Sequence, residues 1–298
     1  MFVGKLAALG AAFSFSITSV CFTLAGRKLN AITTLAVSLP ISWVMMLIVH
    51  QISLGQMFPT TATPDRWFAL SASGILAFVI SSYFMLNSYQ YIGPRLTMLI
   101  ASFAPVLGAI LAWIFLGQTL PTHATLGISI VMFGIFWVVA ERTSGGKSKV
   151  DQPNLKRGII FACLGTMAQS MAFVFSSIGV SDGFPPFSAT LMRITAGIVL
   201  LWVFIAVQGN LKSTLSIFKD DARTLALLTV AALAGPVIAG SLLLLSFQFT
   251  KVGVSTTLSH TTAIMLIPIS YFVFKEKISI RAVVGTMIAI IGIAILFI

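Results

Sequence analysis

The stretch ERTSGGKSKVDQPNLKR, Glu141 to Arg157, is the one long polar interruption in an otherwise apolar chain, and it falls at the midpoint of 298 residues. Arg142, Lys147, Lys149, Lys156 and Arg157 outnumber Glu141 and Asp151, and two serines, Gly145-Gly146 and Pro153 lie between them. That is the composition of a solvated linker, not of a packed element. It divides the chain into residues 1–140, a linker over 141–156, and residues 157–298, and the two flanking blocks read as the same object twice.

Those blocks belong in lipid. With 58% hydrophobic and 8% charged residues and a mean hydropathy of +1.04, the chain has too little polar surface to cover an apolar core in water. A net charge of +11 would suggest nucleic acid if the basic residues formed one patch. They sit instead singly or in pairs between apolar runs, which places them against membrane lipid and excludes a nucleic-acid partner. A crossing needs roughly 20 residues at 1.5 Å each. The sequence predicts an all-α membrane protein with ten transmembrane helices at residues 4–25, 32–51, 67–88, 94–116, 121–140, 157–179, 186–208, 223–248, 253–274 and 278–297. Cys21 and Cys163 fall inside spans, one per half, and read as small apolar side chains. No disulfide, metal or cofactor is implied. The first block, flanked only by Lys5, is read as a retained span, not a leader.

The repeat is tested by register. Sliding by 158 residues lays Ser88–Ala140 on Ser246–Ile298 without a gap and pairs Gln90 with Gln248, Gly127 with Gly285 and Gly134 with Gly292. Identity is low, seven of 53 positions, but the turn Gly117-Gln118-Thr119 lands on Lys275-Glu276-Lys277, so both helix pairs stay aligned across their connections. The two other long connections, His50–Arg66 and Gly209–Arg223, occupy the same place in each half. Five crossings are an odd number, so the second copy starts from the opposite side, and the two repeats are expected to be inverted around a central cavity, the architecture of alternating-access carriers.

Orientation follows from basic residues at span ends. The linker side collects fourteen, including Arg27, Lys28, Arg95, Arg223 and Arg281, whereas the other side has Lys5, Arg66 and Lys251. The linker is expected in the cytoplasm and both termini outside.

Each half ends in a fourth helix, a tight polar turn (LGQTL at Leu116–Leu120, KEKIS at Lys275–Ser279) and a fifth helix with glycines seven apart. This arrangement resembles the drug/metabolite transporter superfamily, in its ten-helix branch built from two EamA domains. The family turn usually reads Gly-Glu; Gly117-Gln118 keeps its first half and Lys275-Glu276 its second. The resemblance implies a secondary transporter, commonly an exporter of amino acids or related metabolites, with a cavity lined mainly by helices one, three, four, six, eight and nine. An aromatic amino acid exporter branch carries bulky aromatic residues just before the proline of helix four. Ser102, Phe103 and Ala104 precede Pro105 here, a departure from that branch.

All seven acidic residues fall in loops or at span ends. The resemblance implies that smaller four-helix relatives couple drug export to protons through a carboxylate in the membrane, and this chain has none at that depth. Two ionisable residues lie within spans, where each is costly unless it faces a cavity or a partner. His260 sits in the polar run Ser255–Thr262 and aligns with Ser102, so two related helices bring an imidazole and a hydroxyl toward the space between the repeats; a histidine bonded to a neighbouring helix is the alternative. Arg193 is read as snorkelling or capping carbonyls of a neighbour. Further candidates to line the cavity are Tyr83 and Asn87 in helix three, Gln169 in helix six, Gln248 and its counterpart Gln90, and Ser14 and Thr18 in helix one. Each such group equally serves to tie helices together. Pro105 and Pro268, five residues out of register between repeats, are expected to bend helices four and nine at different depths. Glycines at 127, 134, 285 and 292 read as close-packing surfaces that make helices five and ten a scaffold.

The reading is a monomeric multi-pass protein of the cytoplasmic (inner) membrane that exports amino acids or similar small metabolites by alternating access, by facilitated diffusion. The alternatives are proton coupling through His260, a lipid-carrier flippase with a lateral groove, and, more remotely, a membrane-embedded enzyme. No catalytic cluster supports the last.

Overall fold

Ten apolar stretches become ten helices because in lipid every backbone amide must be satisfied within its own segment. The computed structural model describes residues 1–25, 28–29, 31–60, 62–142, 155–207, 222–274 and 280–298. Helices are α1 (Phe2–Ala25), α2 (Ala31–Leu54), α3 (Pro64–Ile92), α4 (Leu96–Leu116), α5 (Thr122–Arg142), α6 (Leu155–Gly179), α7 (Pro186–Val207), α8 (Ala222–Phe249), α9 (Val252–His260 and Thr262–Phe274) and α10 (Ile280–Phe297). Eight of the described helices are long and apolar enough to cross a membrane alone; the apolar parts of α5 (Thr122–Val138) and α10 (Val283–Phe297) are shorter. No strand occurs among the described residues. Most of the linker, most of the loop before α8 and the KEKIS turn lie outside the described residues.

Local signals set several boundaries. Thr63 in extended conformation (φ −67°, ψ 155°) precedes Pro64, and Asp65 sits in the first turn of α3, where a missing N–H and a negative charge are both tolerated. Gly117 ends α4 with φ 62°, a left-handed cap open to glycine. Between α3 and α4 the hydroxyls of Ser88 and Thr97 are 2.7 Å apart. Nine residues along a straight helix would span about 13 Å, so this contact folds the chain back on itself.

The repeats are inverted, and the seam between α5 and α10 shows it. A methyl group on Gly134 would lie 2.7 Å from the Gly285 carbonyl, and one on Gly292 would lie 3.0 Å from the Gly127 carbonyl. Rising along α5 is thus falling along α10, so equivalent helices of the two repeats run antiparallel. The two contacts also exchange under the 158-residue register. Reciprocity extends outward: α3 packs against α6 through Gly158 on Ile92 and Gly165 on Met85, and α8 packs against α1 through Gly10 on Leu242 and Gly235 on Thr18. The Ser88–Thr97 contact recurs as Ser246 donating to Ser255 at 2.7 Å.

The bends obey the same register, contrary to the expectation from the prolines. A π-helical segment interrupts α3 at Leu76–Ser81 and α8 at Leu233–Ala239. Helix α4 breaks at Ser102–Phe103 and α9 at Thr261, also one repeat apart. Pro268 lies inside the second segment of α9 without ending it. The break in α9 is made by hydroxyls that fold back on their own helix: Ser259 donates to the Thr256 carbonyl at 2.9 Å, Thr261 to Leu258 at 2.6 Å and Thr262 to Ser259 at 2.7 Å. Such back-bonding bends helices without a proline. In α4 the work falls to Ser102, which donates to the Leu99 carbonyl at 2.7 Å, with Pro105 one position into the next turn.

One apolar cluster closes the face on which Phe2 and Phe297 meet edge to face at 5.8 Å. Ala11, Leu70, Ala112, Val174, Val180, Phe184, Met192, Leu244, Phe247 and Val252 are all buried there. They come from α1, α3, α4, α6, α7, α8 and α9 and the α6–α7 connection.

Candidate functional site

Above that plug, the two broken helices and the two π segments leave a cavity of about 540 Å³, a size that suits a small metabolite. Its floor is Phe173 and Leu243, which belong to the plug as well. Its walls include Phe15, Thr18, Ser19 and Phe22 of α1, Met98 and Ser102 of α4, Gln169 of α6, Pro236 of α8, and Ser259, His260, Thr262 and Leu266 of α9. Helices α2 and α7 also contribute, through Leu35, Ser38, Thr190 and Arg193. Most of the lining lies from mid-depth toward the face where α5 ends and α6 begins, whereas Thr190 and Arg193, in the first two turns of α7, lie nearest the plug.

His260 and Ser102 stand at the two breaks, one from each repeat, and both reach the cavity. His260 Nδ1 lies 2.9 Å from the Thr256 carbonyl. A carbonyl only accepts, so Nδ1 carries the proton, and in the neutral ring Nε2 is left as an acceptor. The ring meets Phe173 edge to face at 6.0 Å. The Gln169 amide has no partner among the described residues and stays available to a solute. Thr18 spends its proton on the Ser14 carbonyl at 3.1 Å but keeps its oxygen on the wall.

The other sequence candidates sit elsewhere. Gln248 donates to the carbonyls of Val180 (3.3 Å) and Phe184 (2.5 Å), tying α8 to the α6–α7 connection beneath the plug. Asn87 donates to the Tyr83 carbonyl at 2.8 Å within its own helix. Tyr83 borders a second, apolar groove with Ile32, Leu35, Phe78, Leu201 and Phe204. Ser14 is buried beside the cavity wall.

Arg193, expected to snorkel to the interface or to cap carbonyls of a neighbouring helix, does not snorkel. It is 6% exposed and lines the cavity. Its guanidinium carbon lies 5.7 Å from the centre of the Phe78 ring, and its Nε has no hydrogen-bond acceptor among the described residues. The signal available in the sequence was its depth, about two turns into α7, but nothing there told which way the side chain points. His50 was missed too. It is 1% exposed at the end of α2, with Nε2 2.8 Å from the Ser188 hydroxyl and Nδ1 2.5 Å from the Gln56 carbonyl, and it fixes the α2–α3 connection against α7.

Further ties hold the terminal face. Arg66 pairs with Asp182 at 3.4 Å and lies 4.9 Å from the centre of the Phe184 ring. The Gln118 side chain accepts from the Val252 N–H at 3.0 Å, so the α4–α5 turn caps the start of α9. Lys251 donates to the Thr119 carbonyl beside it.

This pseudo-twofold pair of five-helix units around one cavity matches the EamA-like transporter family over residues 2–140 and again over residues 156–298. The chain belongs to the EamA-like transporter family. Its apolar helices of crossing length make it a multi-pass membrane protein of that family. One relative, an uncharacterized transporter of Clostridium kluyveri, is 28% identical over 144 residues; the match takes in 48% of this chain and 45% of that one, so this EamA-like transporter spans about half the length of the curated relative it matches. A solved crystal structure superposes with a TM-score of 0.77 at 16% identity, over 98% of this chain and 95% of the other, which establishes the shared fold.

Proposed function

We propose that this EamA-like transporter exports amino acids or similarly small amphiphilic metabolites across the cytoplasmic (inner) membrane by alternating access. The observation that carries the proposal is the cavity at the paired helix breaks, where polar groups (Ser102, Gln169, Ser259, His260) share the wall with aromatic and aliphatic ones. Two repeats, residues 1–140 and 157–298 joined by the polar linker, are the units that rock, and α5 and α10 are the seam they rock about. The plug on the terminal face blocks one mouth, so the conformation corresponds to a cavity turned toward the linker, on the cytoplasmic side. The protein works as a monomer.

Transport is downhill. Among the described residues no carboxylate lines the cavity, so the usual protonatable partner is missing from that wall. Efflux of a pooled amino-acid and metabolite mixture from reconstituted vesicles, with and without a pH gradient, tests this reading. Saturable efflux at equal rates supports it, and absence of efflux for every solute overturns it. Proton coupling is the second reading, favoured by the acceptor Nε2 of His260 on the cavity wall. It requires a rate that follows the gradient.

A further inference from the structure

The least satisfied group in the cavity is a cation. Arg193 is buried, and among the described residues its Nε lacks any acceptor and no Asp or Glu shares the wall with it. A guanidinium offers five donors and cannot shed its proton, so burial without an anion leaves most of its bonding capacity unused. An arginine that merely braced helices would be bonded to their carbonyls.

The surroundings are built to hold it there. Gly74 of α3 lets the helix backbone rest directly on the Arg193 carbonyl, where any side chain would collide. One turn further on, Gly197 of α7 receives the Phe78 ring, which a methyl group at that position would approach to 2.9 Å. Phe78 belongs to the π segment of α3, and that widened turn presents it under the guanidinium. A π face attracts a cation but supplies no hydrogen bonds. Arg193 is therefore parked on Phe78 at the cavity wall, with its Nε unpartnered among the described residues.

We infer that Arg193 is the carboxylate anchor of the cavity, and that the solute it selects is a small organic acid or amino acid with an apolar body. The carboxylate takes a paired hydrogen bond from the guanidinium, and the apolar part lies against Phe173 and Leu243 on the floor. An amino group, where present, finds the Nε2 acceptor of His260. This rests on the transport reading above and sharpens it, because it makes the acid function, not the amine, the group without which a solute is refused.

The test uses purified wild-type protein in proteoliposomes with leucine counterflow, competed by 4-methylpentanoate, which keeps the carboxylate and lacks the amine, and by leucinamide, which keeps the amine and lacks the carboxylate. The acid is expected to compete at least tenfold better than the amide, Arg193→Gln to erase that gap, and Arg193→Lys to restore part of it. Equal competition on the wild type, or a gap that survives Arg193→Gln, overturns the anchor. If the wild type carries no leucine, the transport reading for such solutes fails, and the anchor is judged separately. Ser102→Cys in a Cys21→Ala, Cys163→Ala background is labelled with maleimide in detergent with each compound present. Protection by 4-methylpentanoate but not by leucinamide supports the anchor, and equal or absent protection overturns it.

Discussion

Ser170 and Thr262 make one hydrogen bond twice, in opposite senses. The Ser170 hydroxyl of α6 lies 3.0 Å from the carbonyl of Ala104, just past the break in α4. The Thr262 hydroxyl, just past the break in α9, shares its proton between the Ser259 carbonyl of its own helix and the carbonyl of Ala12 in α1, 3.0 Å away. In the 158-residue register Ala12 corresponds to Ser170 and Ala104 to Thr262, so the same pair of positions is bonded with donor and acceptor exchanged. Each break is moored to the first helix of the opposite repeat. Ser170→Ala and Thr262→Val are each expected to cost about 0.6–2 kcal/mol, and, being in separate contacts, to add in the double variant. Thermal unfolding in detergent measures both, and a double variant no less stable than either single one would show the moorings to be idle.

The α5–α10 seam admits nothing larger than hydrogen at its crossing. Gly134→Leu places four carbons where a single one already lies 2.7 Å from the Gly285 carbonyl, and overpacking of this kind costs about 1–3 kcal/mol. Gly292→Leu is expected to destabilise the protein to a similar extent, because its contact with the Gly127 carbonyl is the repeat-related copy of this one, and thermal unfolding in detergent measures both.

Orientation is testable with single cysteines in the same cysteine-free background. Thr60→Cys, in the α2–α3 connection, is expected to react with an impermeant maleimide added outside. Lys28→Cys, between α1 and α2, is expected to react only after permeabilisation. The reverse pattern would turn the molecule over and make the plugged face cytoplasmic.

Gln248 is expected to act as a latch, since its amide bridges α8 to the Val180 and Phe184 carbonyls under the plug. Gln248→Ala frees both carbonyls, and labelling of Ser102→Cys from outside is expected to rise severalfold while labelling from the linker side falls. Unchanged labelling from both sides would make the tie purely structural.

His260 is expected to tolerate replacement by Gln, which keeps a hydrogen-bonding group of similar reach, better than by Ala. With downhill transport, His260→Gln efflux stays insensitive to an imposed pH gradient, as in the wild type. A wild-type rate that follows the gradient and a His260→Gln rate that does not would establish proton coupling at that imidazole.

Span number, class and the inverted repeat were legible in the sequence because they depend on length and parity: apolar blocks of crossing length, five on each side of one polar linker. The register was legible too, down to the glycines at 127, 134, 285 and 292, because small residues at close contacts leave few substitutes. The bends were not. Pro105 and Pro268 suggested unequal depths, but the α9 break is set by Ser259, Thr261 and Thr262 bonding to their own helix, and serine or threonine in a span looks the same whether it bends the helix, binds a solute or does neither. The direction of long side chains was equally hidden. Gln248 and Gln169 read alike in sequence, yet one is consumed by carbonyls and the other faces the cavity, and Arg193 pointed inward where its length allowed escape to the interface.

The plug and the cavity are built at corresponding positions of the two repeats, and their side chains differ. Ala11, Ala104 and Val180 are buried on the closed face, and their counterparts Gln169, Thr262 and Phe22 line the cavity. Aliphatic residues collapse onto one another readily, whereas an amide, a hydroxyl and a bulky ring resist the same collapse. The carrier's preference for one mouth over the other is therefore inscribed in three unequal residue pairs, and exchanging members within those pairs is a rational route to a protein that rests facing the other way.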